Sequence, residues 1–163
     1  NFTIEGSRSA AGAVATWLSL KSLEKVDGYA LVLKRAIQAK KILESELKKL
    51  SCGVVMAPSL DTNIICFFLK RNFSKLSELN KHTLKVYSHF DKNHEYWISK
   101  TNLMSESFEL FIKEICHENH IEIDVDHLCL LRVTIMNPFF ISKESPVDHV
   151  SHFSKLVETY SNL

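Results

Sequence analysis

At Ser51-Cys52-Gly53 the chain changes its hydrophobic period, and that change bounds the possible folds more tightly than any other feature. Before it, apolar residues recur at three- and four-residue intervals, as one face of an amphipathic helix requires. Val14, Trp17 and Leu18 mark a helix from Ala10 to Val26, and Asp27-Gly28 interrupts it. A second helix is predicted from Tyr29 to about Leu50. Tyr29, Val32, Leu33, Ala36, Ile37, Leu43 and Leu47 form its apolar side, while Lys34, Arg35, Lys40, Lys41, Lys48 and Lys49 face water. Beyond Gly53, β-branched and aromatic residues between turn formers predict two short strands, Val54-Val55-Met56 and Thr62 to Leu69, paired antiparallel.

Helical spacing returns from Phe73 to Phe90, with Leu76, Leu79, Leu84 and Val86 or Tyr87 turned inward. Glu95 to Ser99 is predicted as a third strand and Met104 to His117 as another amphipathic helix. Leu128 to Met136 is a strand so apolar that cover is expected on both of its faces, and Pro138 ends it. Ser145-Pro146 opens a terminal helix with proline at its first position, and Val147, Val150, Phe153, Leu156, Val157 and Tyr160 on its inner side. Two helices followed by strand, strand, helix, strand, helix, strand and helix predict an α/β (α+β) chain. Its long helical arm, residues 1–50, precedes a small, mainly antiparallel sheet with helices packed on it, residues 51–163.

A chain of 163 residues with 45% hydrophobic content can fill one sizeable core. The longest apolar runs, Ile64 to Leu69 and Leu128 to Leu131, are far shorter than the ~18 residues of a membrane span, so no membrane partner is expected. A net charge of +1 argues against a nucleic-acid partner, whose phosphates call for a strongly basic face. Residues 1–100 nevertheless carry 16 bases against 9 acids, and residues 101–163 carry 4 against 10. That asymmetry fits solvated helix faces or an electrostatically matched contact between halves or subunits. The four cysteines contain no CxxC pair, which suits reduced thiols in a cytoplasmic protein.

Three groups of residues could carry chemistry. Gly6-Ser7-Arg8-Ser9 stands at the start of a helix, where free N–H groups and hydroxyls suit an anion, or where Ser7 or Ser9 simply caps the helix. Arg132 interrupts an apolar strand, and a buried guanidinium must meet a carboxylate, a cluster of carbonyls or a ligand. Cys116, His117, His120, Asp124, Asp126 and His127 crowd together, but no second spaced pair completes a metal site and none is assigned. The eight histidines suggest no relay.

Gly6-Ser7-Arg8, the small-residue helix with Trp17, Asp27-Gly28-Tyr29, and the strand Leu131-Arg132-Val133-Thr134-Ile135-Met136-Asn137-Pro138 stand in an order and spacing that resembles the carboxy-terminal part of the group II pyridoxal-phosphate-dependent amino acid decarboxylases. The resemblance covers nearly the whole chain. It implies the end of the large-domain region with its connecting helices (residues 1–50) and the small domain (residues 51–163) of a fold-type I enzyme, working as a homodimer on an amino acid, with the rest of the large domain preceding Asn1. It also implies that Gly6 and Ser7 reach the phosphate of the partner subunit's pyridoxal 5'-phosphate, and that Arg132 holds a substrate carboxylate. Family members carry the cofactor on a lysine in an Asn-Pro-His-Lys type segment, which this sequence lacks; the closest spacing, His82 and Lys85, is expected on a solvated helix. By itself the chain is therefore expected to be inert. A carbon–carbon lyase of the sphingosine-phosphate type shares a similar Gly-Ser-Arg element, and a non-catalytic dimerisation module descended from such an enzyme is a further alternative.

Overall fold

The computed structural model describes residues 11–23, 28–57 and 62–162. The chain divides into two compact units, residues 1–34 and 35–163. The first contains α1 (Ala11–Leu23) and the opening turns of α2 (Gly28–Leu47). The second contains the rest of α2, then β1 (Val54–Met56), β2 (Ile64–Leu69), α3 (Leu76–Asn93), β3 (Ser99–Met104), α4 (Ser105–Glu118), β4 (His127–Thr134) and α5 (His149–Ser161). No helix among the described residues is long and apolar enough to cross a membrane.

The four strands form one antiparallel sheet in the order β1-β2-β4-β3, so the second unit is α+β as the alternating periods predict. Gly53 makes the turn into β1. Its φ of +67° is open to glycine, and its carbonyl accepts a hydrogen bond from Lys70 N across the hairpin.

Side chains alternate across the sheet and feed two cores. On one face Ile65, Phe67, Leu69, Leu131, Val133 and Ile135 meet Leu43 and Leu47 of α2, Val86 and Phe90 of α3, and Val150, Phe153 and Val157 of α5. On the other, Phe68, Leu128 and Leu130 meet Leu76 and Leu79 of α3 with Ile112, Ile115 and Cys116 of α4. The second cover is incomplete. Leu128 to Leu131 are buried on both sides, but from Arg132 onward burial alternates, and Arg132, Thr134 and Met136 are exposed.

Several expectations are corrected by this arrangement, and Tyr29, Leu33, Leu84 and Val147, expected on apolar or inner faces, are exposed. The third strand lies at Ser99–Met104 and not at Glu95 to Ser99, because the polar run Lys100-Thr101-Asn102 supplies the ladder to Leu131, Leu130 and Cys129 at the sheet edge. The last helix begins three residues beyond Pro146. Asp148 caps it by accepting from Ser151 N at 3.1 Å, while Ser145 and Val147 are tied in the preceding turn. Lys40, expected in water, is 2% exposed and ion-paired with Glu44 at 3.3 Å, one helical turn on. His82 is also buried, although a solvated face was expected.

Candidate functional site

Of the residues singled out in the sequence, Gly6 and Ser7 lie outside the described residues. Arg132 is described, and its surroundings differ from those expected. It sits on the uncovered end of the second sheet face, between Cys66 of β2 and Ser99 of β3 in the cross-strand register. It is exposed, so no buried guanidinium needs neutralising. Its Nε donates to Ser99 Oγ at 2.8 Å. The nearby charge moderates the rise that burial imposes on the Cys66 thiol. The other three cysteines are also free, and burial pushes each thiol above its usual range.

The Cys/His/Asp cluster is distributed by the fold into separate structural tasks. Cys116 is a core residue of α4. Asp124 accepts from Ser77 N at 2.9 Å and Ser77 Oγ at 2.5 Å, capping α3 from a distant loop, and these bonds hold its carboxyl below the usual range. Asp126 pairs with His127 Nδ1 at 2.9 Å. Among the described residues no group of three or more His, Cys, Asp or Glu could hold a metal ion.

The most organised polar group in the second unit went unrecognised in the sequence. Tyr96, in the loop before β3, places its hydroxyl 3.1 Å from His149 Nδ1 and 3.2 Å from His152 Nδ1. His152 Nε2 lies 3.3 Å from Glu95 Oε2. Both imidazoles project from the first turns of α5, three residues apart and thus on one face. A hydroxyl brings one proton to two ring nitrogens, so one histidine must donate to it. With both rings neutral, His152 donating through Nε2 to Glu95 presents Nδ1 as the acceptor for Tyr96, and His149 Nδ1 is the donor. Burial, followed by the charges of Glu95 and Asp148, raises the Tyr96 pKa, so the hydroxyl retains its proton.

This group borders a cleft of about 380 Å³. Ile98, Ile135, Phe140 and Phe153 give it an apolar wall, and Trp97 and Met136 stand exposed at its margin. Phe140 stacks on His149 with centroids 5.6 Å apart, and Phe153 meets Tyr96 edge-on at 5.3 Å. The signal available in the sequence was His149 and His152 at helical spacing. Their target lies 53 residues away from His149, beyond any local pattern.

A pyridoxal cofactor needs a lysine amine free to bond its aldehyde. Lys40, the only buried lysine among the described residues, is engaged with Glu44, and no lysine lines the Tyr96 cleft. The Tyr96 cleft therefore offers no amine to bond that aldehyde. No family model matches the chain, and no curated protein matches it.

Proposed function

We propose that this chain is the carboxy-terminal part of a cytoplasmic, homodimeric pyridoxal-phosphate-dependent amino acid decarboxylase. The observation that carries the reading is the ordered occurrence of Gly6-Ser7-Arg8, Asp27-Gly28-Tyr29 and Leu131 to Pro138 at family-like spacing. The small antiparallel sheet with helices on both faces supports it. In the reaction the α-carboxyl group leaves as carbon dioxide and a proton takes its place, yielding an amine. The cofactor supplies the electron sink for that step when bound.

In this reading the chain contributes contacts and not the cofactor linkage. Gly6 and Ser7 offer a backbone N–H and a hydroxyl to the phosphate across the dimer. Arg132 offers a planar fork to a substrate carboxylate, with its Nε already oriented by Ser99.

The decisive experiment uses the protein expressed from its complete reading frame. It should purify with bound cofactor, show the corresponding visible absorbance, and release carbon dioxide from at least one L-amino acid. Ser7→Ala should weaken cofactor retention by about 1.5–3 kcal/mol, as expected for one hydrogen bond to a charged group. Arg132→Lys should raise KM while leaving cofactor content unchanged, because lysine keeps the charge and loses the fork. A full-length protein with neither cofactor nor carbon dioxide release ends the proposal, and an aldehyde product assigns the carbon–carbon lyase instead.

A further inference from the structure

We infer that the cleft beside Tyr96 is a binding site for a small organic cation with an apolar body, of which an arylalkyl ammonium is the simplest example. The inference is independent of the decarboxylase reading and needs no cofactor.

Size comes first. At about 380 Å³ the cleft lies within the ~300–1,000 Å³ of small-molecule sites. Its wall is built from Ile98, Ile135 and the rings of Phe140, Tyr96 and Phe153, so most of an occupant must be apolar. Trp97 stands at the margin with 79% of its surface exposed, and its ring stacks on His94 at 5.4 Å. A large aromatic surface left in water beside an apolar cleft marks a place where a partner can bury it.

Charge then selects the class. Glu95 lines the cleft, gives Oε2 to His152 and stays roughly half exposed, and Asp148 adds negative potential at Tyr96. Neither lysine nor arginine is among the lining residues. Aromatic faces joined to a carboxylate favour a cation, since the ring quadrupole and the anion act in the same direction. An anionic occupant would meet Glu95 with no permanent positive charge in the wall. A neutral occupant would gain from the apolar wall alone.

Three probes with the same phenyl and two-carbon body separate these cases: phenethylammonium, phenethyl alcohol and hydrocinnamate. The chain has two tryptophans, so Trp17→Phe leaves Trp97 as the sole tryptophan reporter under selective excitation, and calorimetry on the unaltered chain provides a second readout. At mildly alkaline pH, phenethylammonium should give a saturable change and bind about 10-fold tighter than the alcohol, with hydrocinnamate weakest. Glu95→Gln should reduce the advantage of the amine over the alcohol to the part that the aromatic faces supply. Phe140→Ala should weaken all three probes while the circular dichroism spectrum stays unchanged. Absence of saturable binding by both readouts overturns the inference, as does hydrocinnamate binding as tightly as the amine. An amine preference undiminished by Glu95→Gln also overturns it.

Discussion

The two faces of the sheet are built from the same four strands yet are finished differently. The first face is covered from Leu69 through Leu131 to Ile135 by parts of three helices, with the Tyr96 cleft opening beside Val133 and Ile135. The second is filled only over Phe68, Leu128 and Leu130, and it ends where Arg132 and Thr134 meet solvent. One face therefore holds the unit together, and the other reserves an open end on which polar side chains can be displayed.

Phe67 and Phe68 test that contrast most severely, because they are chain neighbours, both fully buried, and point into opposite cores. Phe67→Ala should cost about 4–5 kcal/mol and Phe68→Ala about 3 kcal/mol, since the core beside the open end can relax around a cavity more readily. Urea unfolding of the two variants measures the gap. A larger cost for Phe68→Ala would mean that the partly covered face is the more rigid one.

Asn80 probes the seam between the faces. The pairing of β2 with β4 stops at Phe67 and Leu131, leaving the start of β4 without a strand on that side. Asn80 of α3 takes the strand's place: its Nδ2 donates to His127 O and its Oδ1 accepts from Cys129 N, each at 2.8 Å. Asn80→Ala leaves a buried N–H and a half-buried carbonyl unpaired, for an expected loss of about 2–3 kcal/mol in the same assay. Retained stability would show that water or a neighbour replaces the amide.

His82 makes the comparison dependent on pH. It is buried on α3 with its ring 5.2 Å from Phe73, and its Nε2 has no hydrogen-bond partner among the described residues. Burial first, and then the charges of Arg71 and Lys85, hold its pKa below the ordinary value near 6.5. The unfolded chain therefore takes up a proton before the folded one as pH falls. The contribution to stability is complete above that ordinary value and declines as pH drops through 6.5 toward the folded pKa. His82→Phe should flatten this loss between neutral and mildly acidic pH, in thermal melts compared side by side. An unchanged slope would assign the acid sensitivity to other groups.

The elements legible in the sequence are those whose burial follows a simple period. α4 and the paired β1 and β2 fall close to their expected positions for that reason. β3 does not, because an edge strand needs no apolar run: Ser99 to Met104 is polar on one side and half-buried on the other. The apolar Tyr96-Trp97-Ile98 drew the expectation away from it, and those side chains serve the cleft instead of the ladder. Lys40 was misplaced because charge alone marks a helix position as wet, whereas Glu44 one turn later lets the amine be buried as a pair. The Tyr96 group was illegible for a different reason, since its hydrogen bonds join a loop to a helix far along the chain.

Arg132 should give the smallest effect on folding and the sharpest reading of the open end. Its guanidinium is exposed and makes one hydrogen bond to Ser99, so Arg132→Ala forfeits little packing and strands no buried charge. Exposed substitutions of this kind usually stay within about 0.5 kcal/mol. A change of that size in urea unfolding, set against the several kcal/mol expected for Phe67→Ala one register row away, would mark the second face as held for display and not for stability. A loss above about 2 kcal/mol would place Arg132 among the groups that hold the sheet together, as an exposed side chain with one hydrogen bond should not be. Ser99→Ala completes the test. If the pair acts only on the surface, the double variant should lose no more than the sum of the two single losses.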